Sequence, residues 1–273
     1  MSDQSPHVAR PVSPAPVRRI WRDGHAEATT QLLAEESPVA LVFNHISHAV
    51  MLATPADLAD FGLGFALGEG IIAHRDELLD LEVGAAGEAF EVRMAIALER
   101  FAALKDRRRN LVGRTGCGIC GVDSIDQALR PVPRVTAGWT MPLASVHAAL
   151  DDLPAMQMAN RATGALHAAA FADRQGRLLL AREDVGRHNA MDKLIGAMAR
   201  AGIDAASGFI VITSRCSVEM VQKAAMAGVP MVVAISAPTM LARRTAESCN
   251  LTLLALARSD SLLAVTHPER LLT

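Results

Sequence analysis

Two cysteines three residues apart, Cys117 and Cys120, occupy the stretch Arg114-Thr115-Gly116-Cys117-Gly118-Ile119-Cys120-Gly121. Cysteine occurs four times in 273 residues, so the pair stands out. Glycines before, between and after the thiols remove Cβ crowding and leave the loop free to bend. A loop of that kind can present sulfur to more than one partner. The upstream run Lys105, Arg107, Arg108, Arg109 and Arg114, offset by Asp106, favours thiolate over thiol. Electropositive surroundings bring a cysteine pKa from about 8.5 to roughly 3.5–7.5. Downstream, Ser124 and Gln127 match a capping box that opens a helix, whose N-terminal dipole again favours the anion.

A second set of polar residues depends on the elements that carry it. In the second half, apolar β-rich runs alternate with amphipathic stretches. Strands are expected over 165–172, 177–181, 209–213, 231–236 and 251–257, and helices over 143–153, 186–200, 217–227 and 239–248. That alternation predicts crossovers and a largely parallel sheet. In open α/β sheets ligands bind beyond the carboxyl ends of the strands. The rule gathers four segments on one edge: Arg182 to Asn189, continuing to Asp192 and Lys193; Ser214-Arg215-Cys216-Ser217 with Glu219; Ser236 to Thr239; and Arg258-Ser259-Asp260.

In the first segment Asp184, His188 and Asp192 are spaced by four, as are Asn189 and Lys193, so a helix puts each set on one face. Gly186 leaves amides accessible at a helix start, a seat for phosphate or another anion. Ser214 and Arg215 have a similar logic. The plainer readings are an exposed, salt-bridged first turn and simple N-capping. Ser236 to Thr239 reads as helix entry. Cys216 is a ligand contact or a small buried thiol, while Cys249 and the stripe Met191, Leu194, Ile195 and Met198 read as packing. His45, His48 and His167 default to core or surface histidines.

The first half is less regular, with strands expected over 39–44, 49–53 and 91–99 and a helix from Thr54-Pro55 to residue 72. Its GLGFALGEG stretch lacks dinucleotide spacing, because Leu67 stands where glycine is required, so close helix packing is the better account. Prolines at 6, 11, 14 and 16 forbid a helix, and residues 1–18 read as a mobile tail. Arg130-Pro-Val-Pro-Arg134 marks a boundary between a smaller α+β domain, 19–134, which carries the thiol loop, and an α/β domain, 135–273. A net charge of −2, with no tyrosine and 3% aromatics, argues against nucleic-acid binding by charge or base stacking. With neither a signal-like nor a membrane-length apolar stretch, a soluble cytoplasmic protein with reduced thiols is expected.

Three chemistries compete for the thiol pair. Zinc would use it as half a site, but the chain has no second CxxC, and His25-Ala-Glu27 with Gly116 departs from the zinc-deaminase pattern. Thioredoxin-like exchange needs the motif to open a helix after a strand. Sulfur relay through a persulfide accounts for both the flexible loop and the anion-binding edge, and it leads.

The segments RTGCGICG, EDVGRHNAMDKLIG, TSRCSVEMVQKAAMAGVP, SAPT and THPERL, with LGFALGEGII before them, resemble the FdhD family of formate dehydrogenase accessory sulfurtransferases. The resemblance implies a cytoplasmic homodimer whose C-terminal domain is a cytidine-deaminase-like mixed sheet flanked by helices. It implies sulfur transfer from a cysteine desulfurase to the molybdenum bis(guanine dinucleotide) cofactor of formate dehydrogenase. On the matching motifs, Cys117 is the persulfide carrier and Cys120 its neighbour. Glu183, Asp184, Arg187 and His188, Ser214 and Arg215, and Leu256, Ala257, Arg258, Ser259, Asp260 and Ser261 are then the cofactor-binding positions. In the last stretch the usual aromatic is Leu256 and a usual glycine is Asp260. A chaperone that only binds the cofactor, or a zinc module, are the alternatives.

Overall fold

The structure, a computed structural model, describes residues 10–112, 131–136 and 139–273, apart from the side chains of 107–112. The Cys117–Cys120 loop, Arg114 and the helix expected from Ser124 lie outside the described residues, as do the side chains of Arg107, Arg108 and Arg109.

Strands β1 (Val12–Ile20) and β2 (Ala26–Ala34) pair antiparallel along their length as a two-stranded ribbon. Among the described residues regular structure therefore begins at Val12, inside the segment expected to be a tail through residue 18. Proline excludes helix but not an edge strand: Pro14 and Pro16 are two apart, so both missing N–H groups fall on one edge of the ribbon.

The N-terminal sheet has the order β4-β3-β6-β5. It comprises β3 (Ser37–Phe43), β4 (Ile46–Ala53), β5 (Leu78–Ala86) and β6 (Ala89–Ile96). Asn44 and His45, both at positive φ, close the two-residue β3–β4 hairpin. Alternate residues of β3 and β6 (Val39, Leu41 and Phe43; Phe90, Val92, Met94 and Ile96) turn inward. They pack with Phe61 and Phe65 of α1 (Leu58–Gly68) and Leu104 of α2 (Leu98–Val112). Neither β5 nor α2 was expected. The helix expected from Thr54 starts four residues later, behind Asp57, because the backbone and hydroxyl of Thr54 are bonded to the C-terminal half, as described below.

The larger sheet has the order β13-β12-β11-β10-β8-β9. It runs from β8 (His167–Asp173) and β9 (Leu178–Asp184) through β10 (Gly208–Ile212), β11 (Met231–Ala234) and β12 (Thr252–Ala255) to β13 (Leu263–Ala264). Strands β10, β11 and β12 are parallel neighbours, whereas β8 runs antiparallel to β10 and β9, and β13 to β12. The sheet is thus mixed rather than largely parallel, because the turn at 173–176 makes β8 and β9 a hairpin. One face packs on α5 (Arg187–Ala201), α6 (Val218–Met226) and α7 (Met240–Ser248). The other packs on α3 (Leu143–Met156), with the short α4 (Met158–Thr163) following. A two-residue strand β7 (Met141–Pro142) pairs with β14 (Leu271–Leu272) near the C-terminus. No helix of the described residues is long and apolar enough to cross a membrane.

Helices α1 and α5 hold the two halves together. A Cβ on Gly64 would lie 1.7 Å from the Asp192 carbonyl oxygen, and one on Gly196 would lie 1.9 Å from that of Asp60. Within GLGFALGEG, Gly64 therefore serves close helix packing, while a Cβ on Gly62 would meet Val92 of β6. Asp60 is buried between two cations, 2.7 Å from both Arg182 and Arg200.

Candidate functional site

Strand β8 is reversed between β9 and β10, so β9, β10, β11 and β12 all point the same way. Their carboxyl ends deliver the four polar segments to one edge, and the first turns of α5, α6 and α7 open there. His167 joins them from the amino end of β8, opposite Asp184.

The segment after β9 divides into buried framework and exposed surface. Asp184 is fully buried and does not face a ligand. Its Oδ2 accepts from the Thr54 N–H at 3.0 Å and lies 2.6 Å from Lys193 Nζ. Its Oδ1 accepts from the Gly186 N–H at 2.8 Å and from Asn189 Nδ2 at 3.0 Å. Lys193 donates to the Thr54 carbonyl at 2.8 Å, and the Thr54 hydroxyl accepts from the Val185 N–H at 3.1 Å. The Gly186 amide, expected to be open to an anion, is therefore already used. Glu183 is half-buried and also engaged: its carboxylate takes the Ala159 and Asn160 N–H groups at 2.9 and 2.7 Å, capping α4. Asp192 is buried against Lys223 at 2.8 Å, and Lys223 also meets Glu69 at 2.7 Å. Burial pulls the Lys223 ammonium down, but Asp192 and Glu69 outweigh it and hold its pKa above the ordinary lysine value. Spacing could not reveal this triad, since its members lie on α5, α6 and the end of α1.

Arg187 and His188 remain at the surface of the edge, half-buried. Arg187 Nε and His188 Nε2 are buried atoms with no hydrogen-bond partner. His188 Nε2 is 4.0 Å from Glu219 Oε2 on α6. Burial, with Arg187 and Lys223 nearby, lowers the His188 pKa from 6.5 to about 4. Burial and Arg187 likewise lower that of His167. Burial pushes the Glu219 carboxyl up, but the Ser217 hydroxyl, the backbone and the adjacent His188 and Arg187 hold it below the usual carboxylate range. At neutral pH the edge thus presents neutral imidazoles, an ionised carboxylate and a guanidinium.

The depressed His188 value has a stability consequence. Between pH 6.5 and about 4 the unfolded chain binds a proton at this residue that the folded chain refuses. Stability therefore falls as pH drops through that window. An NMR titration of His188 is expected to show its midpoint near the lower value, and His188→Gln is expected to flatten the pH dependence of the urea midpoint there. A midpoint near 6.5 would contradict the burial argument.

Farther along the edge, Ser214 is buried and its hydroxyl donates to the Arg215 carbonyl at 3.1 Å, whereas the Arg215 side chain is exposed. Thr239 accepts from the Ala242 N–H at 3.1 Å as the cap of α7, as its helix-entry reading implied. Leu256, at φ 48°, leaves β12 exposed, Ala257 is buried, and Arg258, Ser259, Asp260 and Ser261 are exposed. Arg258 donates to the carbonyls of Ile235 and Ala257. Asp260 accepts from the Ser261 hydroxyl at 3.0 Å. Cys216 is fully buried and its thiol is pushed up to about 12 by burial, so it is inert packing, as is buried Cys249. His45 is an exposed turn residue, and His48 packs edge-on between Phe43 and Phe65. No group of three or more metal-ligating side chains occurs among the described residues.

Comparison with known proteins places this architecture among relatives. The FdhD/NarQ family model matches residues 34–272. The chain is 48% identical over 271 residues to the sulfur carrier protein FdhD of Xanthomonas euvesicatoria pv. vesicatoria (strain 85-10), covering 99% of this chain and 96% of the relative. It is 51% identical over 239 residues to the sulfur carrier protein FdhD of Variovorax paradoxus (strain S110), covering 88% and 86%. A crystal structure described as a formate dehydrogenase accessory protein, from Desulfotalea psychrophila, shares the fold with a TM-score of 0.76 at 22% identity. That likeness covers 96% of this chain and 100% of the other.

Proposed function

Because the chain belongs to the FdhD/NarQ family, we propose that it is a sulfurtransferase that serves a formate dehydrogenase. In this reading Cys117 thiolate attacks the outer sulfur of a persulfide on a cysteine desulfurase. A new S–S bond forms at Cys117, and the donor cysteine leaves as thiolate. The outer sulfur then goes to the molybdenum bis(guanine dinucleotide) cofactor, which is bound as substrate. Cys120 thiolate attacks the Cys117 sulfur, the outer sulfur leaves as sulfide to the cofactor, and the Cys117–Cys120 disulfide that forms is reset by a thiol reductant. The reading includes a cytoplasmic homodimer and a cytidine-deaminase-like C-terminal domain.

The observation that supports cofactor docking is the chemistry of the strand edge. Arg187, Arg215 and Arg258 belong to the segments at that edge, beside the first turns of three helices, a combination suited to a diphosphate. The buried, unpartnered Arg187 Nε is a donor that a bound anion or base edge would satisfy, and His188 Nε2 is a donor or an acceptor according to its tautomer. The carboxylate of Asp260 fits only beside a base edge or an arginine, not against phosphate. Asp184 and Glu183 act in this reading as framework that sets the Arg187–His188 turn.

Two measurements test the proposal. Mass spectrometry after incubation with the desulfurase is expected to show one added sulfur on the wild type and on Cys120→Ala, and none at position 117 in Cys117→Ala. Full formate dehydrogenase activation by Cys117→Ala would favour a cofactor-binding chaperone instead. Calorimetry with guanosine diphosphate is expected to show binding that Arg215→Glu weakens by about tenfold or more, the scale of losing a charge-assisted contact. Unchanged affinity would remove Arg215 from the docking surface.

A further inference from the structure

The ribbon β1–β2 lies outside the sulfur chemistry described above, and its far end has a distinct composition. Every residue from Arg18 to His25 is exposed, with Ile20 at 69% and Trp21 at 38%. Each strand has nine residues, so the ribbon is about 30 Å long at about 3.3 Å per residue. The helix it chiefly touches among the described residues is α4, while Pro11 and Val12 at its opposite end line a cavity with Met158 and Ala159. The tip is thus carried away from the body.

The tip is also preformed. The Trp21 N–H donates to the His25 carbonyl at 2.8 Å and the Gly24 N–H to the Trp21 carbonyl at 2.9 Å. The Asp23 carboxylate accepts from the His25 N–H at 2.9 Å and is drawn into the turn. The Trp21 ring rests on that of His25 with centroids 4.8 Å apart. Arg18, Arg19 and Arg22 make no salt bridge among the described residues, and Glu27 faces Arg19 alone in the strand register. Arg18 and Arg22 are therefore uncompensated cations beside two exposed apolar side chains, in a chain of net charge −2.

We propose that the Arg18–His25 tip is a docking arm that seats on an acidic surface patch of a folded protein partner. Trp21 and Ile20 enter an apolar niche there, and Arg18 and Arg22 meet carboxylates. The composition favours a protein surface: tryptophan and arginine dominate interface hot spots, and a rigid hairpin loses little entropy on docking. A nucleic-acid arm would need more base-stacking side chains than one tryptophan. Complementary charge speeds encounter and sets register.

The choice of occupant rests on the sulfurtransferase reading: it is the formate dehydrogenase apoprotein, the class of protein to which the related crystal structure is described as accessory, and the cysteine desulfurase is the competing occupant. The full-length chain, Arg18→Glu/Arg22→Glu and Trp21→Ala are titrated against each protein, and against phosphatidylglycerol vesicles. Circular dichroism checks that the variants fold. Wild type is expected to bind the formate dehydrogenase apoprotein, the double variant at least tenfold more weakly and Trp21→Ala about fivefold more weakly. Added salt should weaken the wild type but not the double variant. Equal affinity of the variants, absence of binding to that apoprotein, or a defect confined to the desulfurase or the vesicles overturns the proposal. Persulfide loading of Cys117 by a low-molecular-weight persulfide is expected to be equal in all three chains. Failure of the wild type in that assay would count against the sulfurtransferase reading and leave the docking result intact.

Discussion

Replacing Lys193 by methionine is expected to lower the unfolding free energy in urea by about 3–5 kcal/mol, the cost typical of stripping one partner from a buried ion pair. Both side chains are fully buried, with Nζ 2.6 Å from the Asp184 carboxylate. Burial outweighs Asp184 and holds the Lys193 pKa below the ordinary lysine value, so the pair is under desolvation strain even when intact. The variant also removes one of the two donors to the Thr54 carbonyl, leaving only the Ala56 N–H. A general ion pair can often be exchanged for apolar residues at little cost. Here the double variant Lys193→Met/Asp184→Leu is expected not to recover the loss, since Asp184 also receives the N–H groups of Thr54 and Gly186 and the amide of Asn189. Buried donors without acceptors cost about 1–3 kcal/mol each. Full recovery would mean that the carboxylate is no more than the lysine's counter-ion.

For Gly64→Ala the sign of the effect is the informative quantity. In an open helix interior this change stabilises by about 1 kcal/mol, through alanine's better helix propensity. In α1 the new methyl would meet the Asp192 carbonyl oxygen at 1.7 Å, and main chain cannot rotate aside as a side-chain tip can. The helices must part, and a loss of about 3 kcal/mol is expected, at the upper end of ordinary overpacking. Separation would also strain the Glu69–Lys223–Asp192 triad, which bridges the same helices close to His188. Thermal unfolding of Gly64→Ala beside Gly87→Ala, whose added methyl meets nothing within 4 Å but whose φ of +66° strains alanine, separates collision from backbone strain. A larger loss at Gly87 would refute the helix-contact argument.

Much of the C-terminal half is legible locally. The runs at 209–213 and 231–236 are short, apolar and bounded by turn formers, and the structure has β10 and β11 there. Thr239 reads as a helix entry and caps α7. The glycines of α1 read as packing glycines: the Cβ position of Gly64 is occupied by α5 backbone, that of Gly62 by Val92 of β6 and that of Gly68 by the Asp192 carboxylate. Other features were hidden for identifiable reasons. Pro14 and Pro16 mask a strand because their cost depends on which edge of a ribbon they face, and that edge exists only once β2 is paired. Thr54-Pro55 imitates a helix start, but three of the threonine's hydrogen bonds, through its N–H, hydroxyl and carbonyl, go to residues 130 or more positions away. Four polar strand ends suggest one ligand edge, but nothing in their spacing says that Asp184 and Glu183 turn inward while Arg187, Arg215 and Arg258 do not.

Periodicity, capping residues and motif identity are properties of neighbours along the chain, and they suffice for the strand–helix rhythm, the thiol pair and family membership. Which carboxylate is framework and which cation is free depends on partners brought together across α1, α5 and α6. Burial and charge pairing are set by that three-dimensional neighbourhood: the same aspartate is a ligand group in water and a structural hub at zero exposure. The reversed strand β8 is the decisive case, because only its antiparallel insertion aligns the ends of β9 and β10 and turns four separate segments into one surface.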